Sequence, residues 1–238
     1  MHENSALIEA RIRRFLAERL RPARYRRFVP MTLESWDAPG EPVPFAEAVV
    51  QPFGPFQVGT PWGRPWGTMW LRMTGVVPPT SSGERAELVI DLGFSAAQPG
   101  FQAEGTAYRP DGSIIKAIEP RNAHVPIDAA PGERVELFVE AAANPDVGGG
   151  FVHFKPTTLG EWETAGEAPH YVMRQADIGL LDETVWELEQ DAEVLLSLCE
   201  QLPDSPRRAG VLRALERMVD AVDPDDVAGT ASDGRAAL

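Results

Sequence analysis

Cysteine is almost absent from this chain: Cys199 is the single one among 238 residues. One thiol excludes an intrachain disulfide framework and a cysteine-based zinc knuckle. Long apolar runs are missing too. No window approaches the roughly 18 consecutive apolar residues that a membrane span needs. Arginines interrupt every apolar run near the N-terminus, unlike the layout of a signal peptide. The cytoplasm is therefore the expected compartment, with no membrane partner. Positive charge is in deficit, with 22 Lys and Arg against 36 Asp and Glu and a formal net charge of -14. A polyanion would be repelled at long range, which argues against nucleic-acid binding.

Histidine is sparse. His2, His124, His153 and His170 form no His-x-His or His-x-x-x-His pair, so no short-range metal motif is present. His153, between Val152 and Phe154, reads as a surface or half-buried imidazole rather than a ligand. There is no Gly-x-Ser-x-Gly elbow, phosphate-binding glycine loop or dinucleotide fingerprint. The Gly148-Gly149-Gly150 run lacks a following Lys-Ser/Thr and a following helix, and reads as a flexible turn. Carboxylates are plentiful, but a glycosidase pair is defined by its separation. No catalytic residue and no metal ligand is assigned.

What remains is the composition of a globular protein, 43% hydrophobic and 24% charged, long enough for one core plus an appendage. The spacing of Leu7, Ile8, Ile12, Phe15, Leu16 and Leu20 predicts an amphipathic helix over 3–20, closed by Pro22. Arginines crowd this start, from Arg11 to Arg27. They read as a docking helix for the acidic body or for the rest of a larger protein. Residues 33–44 show no period and read as a connector.

From 45 to 181 the texture changes to short strands separated by turn residues. Strands are expected over 46–50, 68–77, 86–92, 100–108, 113–118, 123–127, 134–142 and 171–180. Ser-Gly at 82–83, Pro-Asp-Gly at 110–112 and Pro-Gly at 131–132 punctuate them. The pattern predicts an antiparallel β-sandwich, jelly-roll or galactose-binding-like. Asp182 reads as a helix cap, and a helical hairpin is expected over 182–222, its second helix opening at Pro206. From 223 to 238 no period is visible, which predicts a disordered tail or a truncated interdomain linker. The expected division is thus 1–44, 45–181, 182–222 and 223–238.

Three of the six tryptophans fall within 61–73, ahead of a β-type run. Trp66, Thr68 and Trp70 are expected on one strand face, by the alternation of side chains. Trp66 and Trp70 read first as core anchors. The alternative is a sugar platform, with Trp62 and Trp66 stacking on a pyranose. Glu104, Arg121, His124 and Asn144 would then offer hydrogen bonds to hydroxyls from loops at strand ends.

The pattern Trp62-Gly63-x-x-Trp66-x-x-x-Trp70-x-Arg72, followed by Val76-Val77-Pro78, resembles the N-terminal, non-catalytic region of the α-mannosidases of glycoside hydrolase family 38, cytosolic and vacuolar type. Further landmarks follow in the family's order. They are the hydrophobic run 87–93, the Glu-Gly segment 103–108, the Arg121-centred segment 120–127, the strand 137–144, and the Ala-x-Ile segment 176–186 that leads into Trp186. The resemblance implies an accessory domain of a zinc-dependent retaining exo-α-mannosidase acting on α-mannosides. The family's His-x-His-x-Asp-type zinc motif and aspartate nucleophile have no counterpart here, so the chain reads as a fragment without a cofactor. Zinc is expected in the C-terminal catalytic domain, its implied partner. A mannose-type oligosaccharide and a second copy of the chain are further implied partners. The alternative reading is an autonomous carbohydrate-binding module.

Overall fold

A computed structural model describes residues 5–95, 99–100, 102–145 and 166–238. In chain order its elements are α1 (Ser5–Phe15), a π-helical turn (Leu16–Leu20), α2 (Arg21–Ala23), β1 (Tyr25–Pro30), β2 (Thr32–Asp37), α3 (Phe45–Ala48), β3 (Gly54–Phe56), β4 (Pro61–Trp62) and β5 (Thr68–Val76). There follow β6 (Glu84–Asp91), β7 (Glu104–Tyr108), β8 (Ile114–Ile118), β9 (His124–Pro126), β10 (Arg134–Ala142), β11 (Tyr171–Val172), β12 (Gln175–Asp182), α4 (Glu183–Gln201), α5 (Pro206–Ala221) and α6 (Val227–Ala236). Two compact units result, a β unit (Phe28–Pro79 and Ala86–Gly179) and a helical unit (Met1–Arg27, Thr80–Arg85 and Leu180–Leu238).

The strands form a six-stranded sheet in the order β3-β2-β5-β10-β7-β8, a four-stranded sheet β1-β12-β6-β9, and a small pair β11-β4. This is the jelly-roll sandwich that the turn-punctuated strands predict. The central strand β10 alternates as its sequence requires. Val135, Leu137, Val139 and Ala141 are buried, and Leu137, Val139 and Ala141 register against Met73, Leu71 and Met69 of β5. The opposite face of the same sheet carries Trp70 and Phe138 beneath α3, with Phe45 edge-on to both rings at 6.0 and 5.5 Å.

Two strand expectations are corrected here. Residues 46–50 do not form a strand. Pro44 is extended, and the Phe-Ala-Glu-Ala turn after it is helical, which suits its alanines and lets Phe45 cover the sheet. Residues 33–44 are not all connector, because β2 pairs with both β3 and β5. The expected strand over 171–180 divides in two. Between the parts, the Met173 amide bonds to the Thr60 carbonyl and the Arg174 amide to that of Asp91.

In the helical unit, Ile12, Phe15, Leu16 and Leu20 pack with Val185, Leu188, Leu196, Leu212, Leu215 and Met218. The first helix does not close at Pro22. It passes through the π-helical turn, and Pro22 takes an opening position of α2, where its missing N–H costs nothing. Asp182 caps α4 by accepting from the Val185 amide at 3.0 Å, as its position predicts. The crowded arginines meet acidic partners within this unit: Arg24 and Arg21 hold Glu189, Arg26 holds Asp182, and Arg11 holds Asp220.

Residues 223–238 are not a disordered tail. Asp226 caps α6 through the Gly229 amide, and Val227 and Ala231 join the helical core. Gly234 allows the close approach, since a Cβ there would lie 2.5 Å from Val222 Cγ2. Small residues that pack by proximity leave little periodic signal.

Candidate functional site

A pocket of about 490 Å³ opens in the β unit, lined among others by Ser35, Asp37, Phe56, Trp62, Arg64 and Thr68. Strand pairing explains their convergence. Leu33, Ser35 and Asp37 lie on one face of β2 and register against Met73, Leu71 and Met69 of β5, all buried core residues. Phe56 stands opposite Leu33 on the other side of β2. The Ala38 amide then bonds to the Thr68 carbonyl at 2.9 Å, carrying the chain along the pocket wall. The Asp37 carboxyl is accessible yet hemmed in, and lost hydration raises its pKa above the ordinary value. Arg64 is held by Glu167 at 3.0 and 3.2 Å to the two carboxylate oxygens.

Trp62 forms one wall but is only 3% exposed. Its indole N–H donates to the Leu92 carbonyl at 2.7 Å, and its ring tilts against Tyr171 with centroids 5.6 Å apart. Trp70 is fully buried. Trp66 does not share its strand face. It precedes β5 in a turn at φ 64°, a left-handed conformation that brings its amide to the Ala143 carbonyl at 3.0 Å. Its indole nitrogen is buried without a hydrogen-bond partner among the described residues.

Glu104 and Asn144 do meet, the Asn144 side-chain amide donating to Glu104 Oε1 at 2.9 Å. The Tyr171 hydroxyl donates to the Asn144 carbonyl, which links this pair to Trp62 through the Trp62–Tyr171 contact. Arg121 lies in the turn closed by the Glu119–Asn122 bridge, and His124 opens β9 opposite Val89. Beside them Lys116 donates to Asn122 Oδ1 at 2.5 Å. Burial pushes its pKa down against the opposing pull of Glu87 and Glu119. Sequence reasoning missed Ser35 and Asp37. The available signal was the break from Leu33 into polar residues at alternate positions.

Among the described residues no group of three or more His, Cys, Asp and Glu is arranged to hold a metal ion. The zinc implied by the resemblance therefore has no donor set among them. His2, His153 and Gly148-Gly149-Gly150 lie outside the described residues.

Residues 29–179 match the family described as "Alpha-mannosidase, jelly roll domain", which is well over half of the chain. The chain belongs to this family. It is also 29% identical over 205 residues, 82% of its length, to Alpha-mannosidase 2C1 of Mus musculus, and it spans 18% of that protein. Every pocket residue of this α-mannosidase jelly roll lies within the matched stretch, whereas α4, α5 and α6 follow it. No helix among its described residues is long and apolar enough to cross a membrane.

Proposed function

We propose that the chain is an accessory, non-catalytic module of a zinc-dependent retaining exo-α-mannosidase acting on α-mannosides. The observation that carries this reading is the family match over 29–179, together with the burial of Trp62 and Trp70 from its tryptophan signature. Trp62 and Trp70 stabilise the sandwich rather than present a platform, each ring burying on the order of 150–250 Å². The relative is several times longer, which supports a catalytic region as the partner. A lone buried Cys199 suits a cytoplasmic enzyme. Contacts between copies of the chain belong to the same proposal.

The test is to produce this chain and the catalytic region of a longer form as separate polypeptides. The expected result is that they co-purify and that the catalytic region melts at a higher temperature with its partner present. Independent migration with unchanged melting would overturn the reading. A second reading, direct contact with a mannose-type sugar, is favoured by one observation: the polar pocket beside β2.

A further inference from the structure

The core face of β2 changes character along its length. Leu33 is buried at 5% exposure, yet the next two residues on that face are Ser35 and Asp37. Their neighbours on β5, Leu71 and Met69, remain apolar and buried, whereas on β2 Ser35 is half-buried and Asp37 exposed. Asp37 loses hydration there, and no hydrogen bond or ion pair to its carboxylate is found among the described residues. An accessible carboxylate that sits in a concave site and is partly dehydrated, with no partner among the described residues, is suited to meet a ligand.

We infer that this pocket binds one neutral pyranose unit through Asp37, with Phe56 as its apolar wall. The inference deepens the sugar-contact reading and does not depend on the accessory role. Charge excludes one class. Among the described lining residues Arg64 is paired with Glu167, and the carboxylate of Asp37 disfavours anionic ligands. A carboxylate is acceptor-only with two oxygens, which suits a pair of adjacent hydroxyls. Ser35 and Thr60 add hydroxyls that can donate or accept, and half-buried Phe56 offers a surface to the ring C–H groups. The volume of about 490 Å³ falls within the range of small-molecule sites, roughly 300–1,000 Å³.

The experiment is calorimetric and saturation-transfer NMR titration of the whole chain with methyl α-D-mannopyranoside, with glucosamine as a cationic comparison. Saturable binding of the neutral glycoside is expected, with Kd on the order of 1 mM. Asp37→Asn, which keeps the side-chain shape, should weaken it about tenfold or more by removing the charged acceptor. Phe56→Ala should weaken it independently, and an unchanged tryptophan emission spectrum would show that each variant is folded. Should Asp37→Asn fail to fold, Ser35→Ala is the substitute, with weaker binding again expected. Silence from the wild-type chain, binding that ignores these variants, or binding of glucosamine alone would overturn the inference. Silence combined with retained co-purification of the catalytic region would remove the pocket and leave the accessory role standing.

Discussion

The accessible carboxylate of Asp37 loses some water without gaining a partner among the described residues, so its charged form is disfavoured on folding. Its folded-state pKa lies above the ordinary value of 3.8, so the native state holds the proton more tightly than the unfolded chain. The penalty is absent below the unfolded pKa, grows as pH rises through the raised folded value, and is constant above it. Asp37→Asn should therefore raise the thermal midpoint at pH 7, with the advantage shrinking in acid. A lower midpoint for the variant at neutral pH would contradict this account. Glu189 is the opposite case, fully buried but held by Arg24 at 2.5 Å and by Arg21 at 3.3 Å. Arg24→Met leaves a buried carboxylate poorly compensated and should cost about 3–5 kcal/mol in a urea titration. A loss within experimental error would show that Arg21 alone suffices. Neither environment was legible in the sequence, where both residues are simply acidic positions in a strongly acidic chain.

At the scale of elements, two helical glycines make a matched comparison. Gly210 in α5 has open space where a Cβ would stand, so Gly210→Ala should stabilise by about 0.5–1 kcal/mol through helix propensity. A Cβ at Gly234 in α6 would stand 2.5 Å from Val222 Cγ2 and 3.0 Å from Leu188 Cδ2, so Gly234→Ala should destabilise by about 1–3 kcal/mol despite the same propensity gain. Equal shifts of the two denaturation midpoints would show that α6 does not dock as described. The same contrast explains which elements could be read in advance. Strand β10 was legible to the residue, because Val135, Leu137, Val139 and Ala141 recur at every second position, with Arg134, Glu136 and Glu140 between them and Phe138 the one large apolar residue on the other face. Strand β2 was not, because among Leu33, Ser35 and Asp37 on its one face only Leu33 is apolar and buried. Helix α6 was hidden because Val227, Ala231 and Gly234 dock by small size, and α3 because four residues are too few to show a period. Of the pocket lining, Trp62 was nameable in advance, whereas Glu104 and Asn144 pair with each other outside that lining. The convergence of Asp37 with Trp62 depends on a strand pairing that no local pattern encodes.

For the whole molecule, the order of weak landmarks from Trp62 to Trp186 proved more informative than any one of them, and the family match confirms it over 29–179. The sandwich buries Trp62 and Trp70 of its signature, and the helical unit folds its arginine-rich start onto its own acidic helices. Both features support the proposed accessory role. The most direct test of that account is hydrolysis of p-nitrophenyl α-D-mannopyranoside, with zinc supplied, by this purified chain and by a form extended through the catalytic region. The account predicts turnover by the extended form and release indistinguishable from the buffer blank by the chain alone. Turnover by the chain alone that survives repeated purification and tracks its concentration would contradict it.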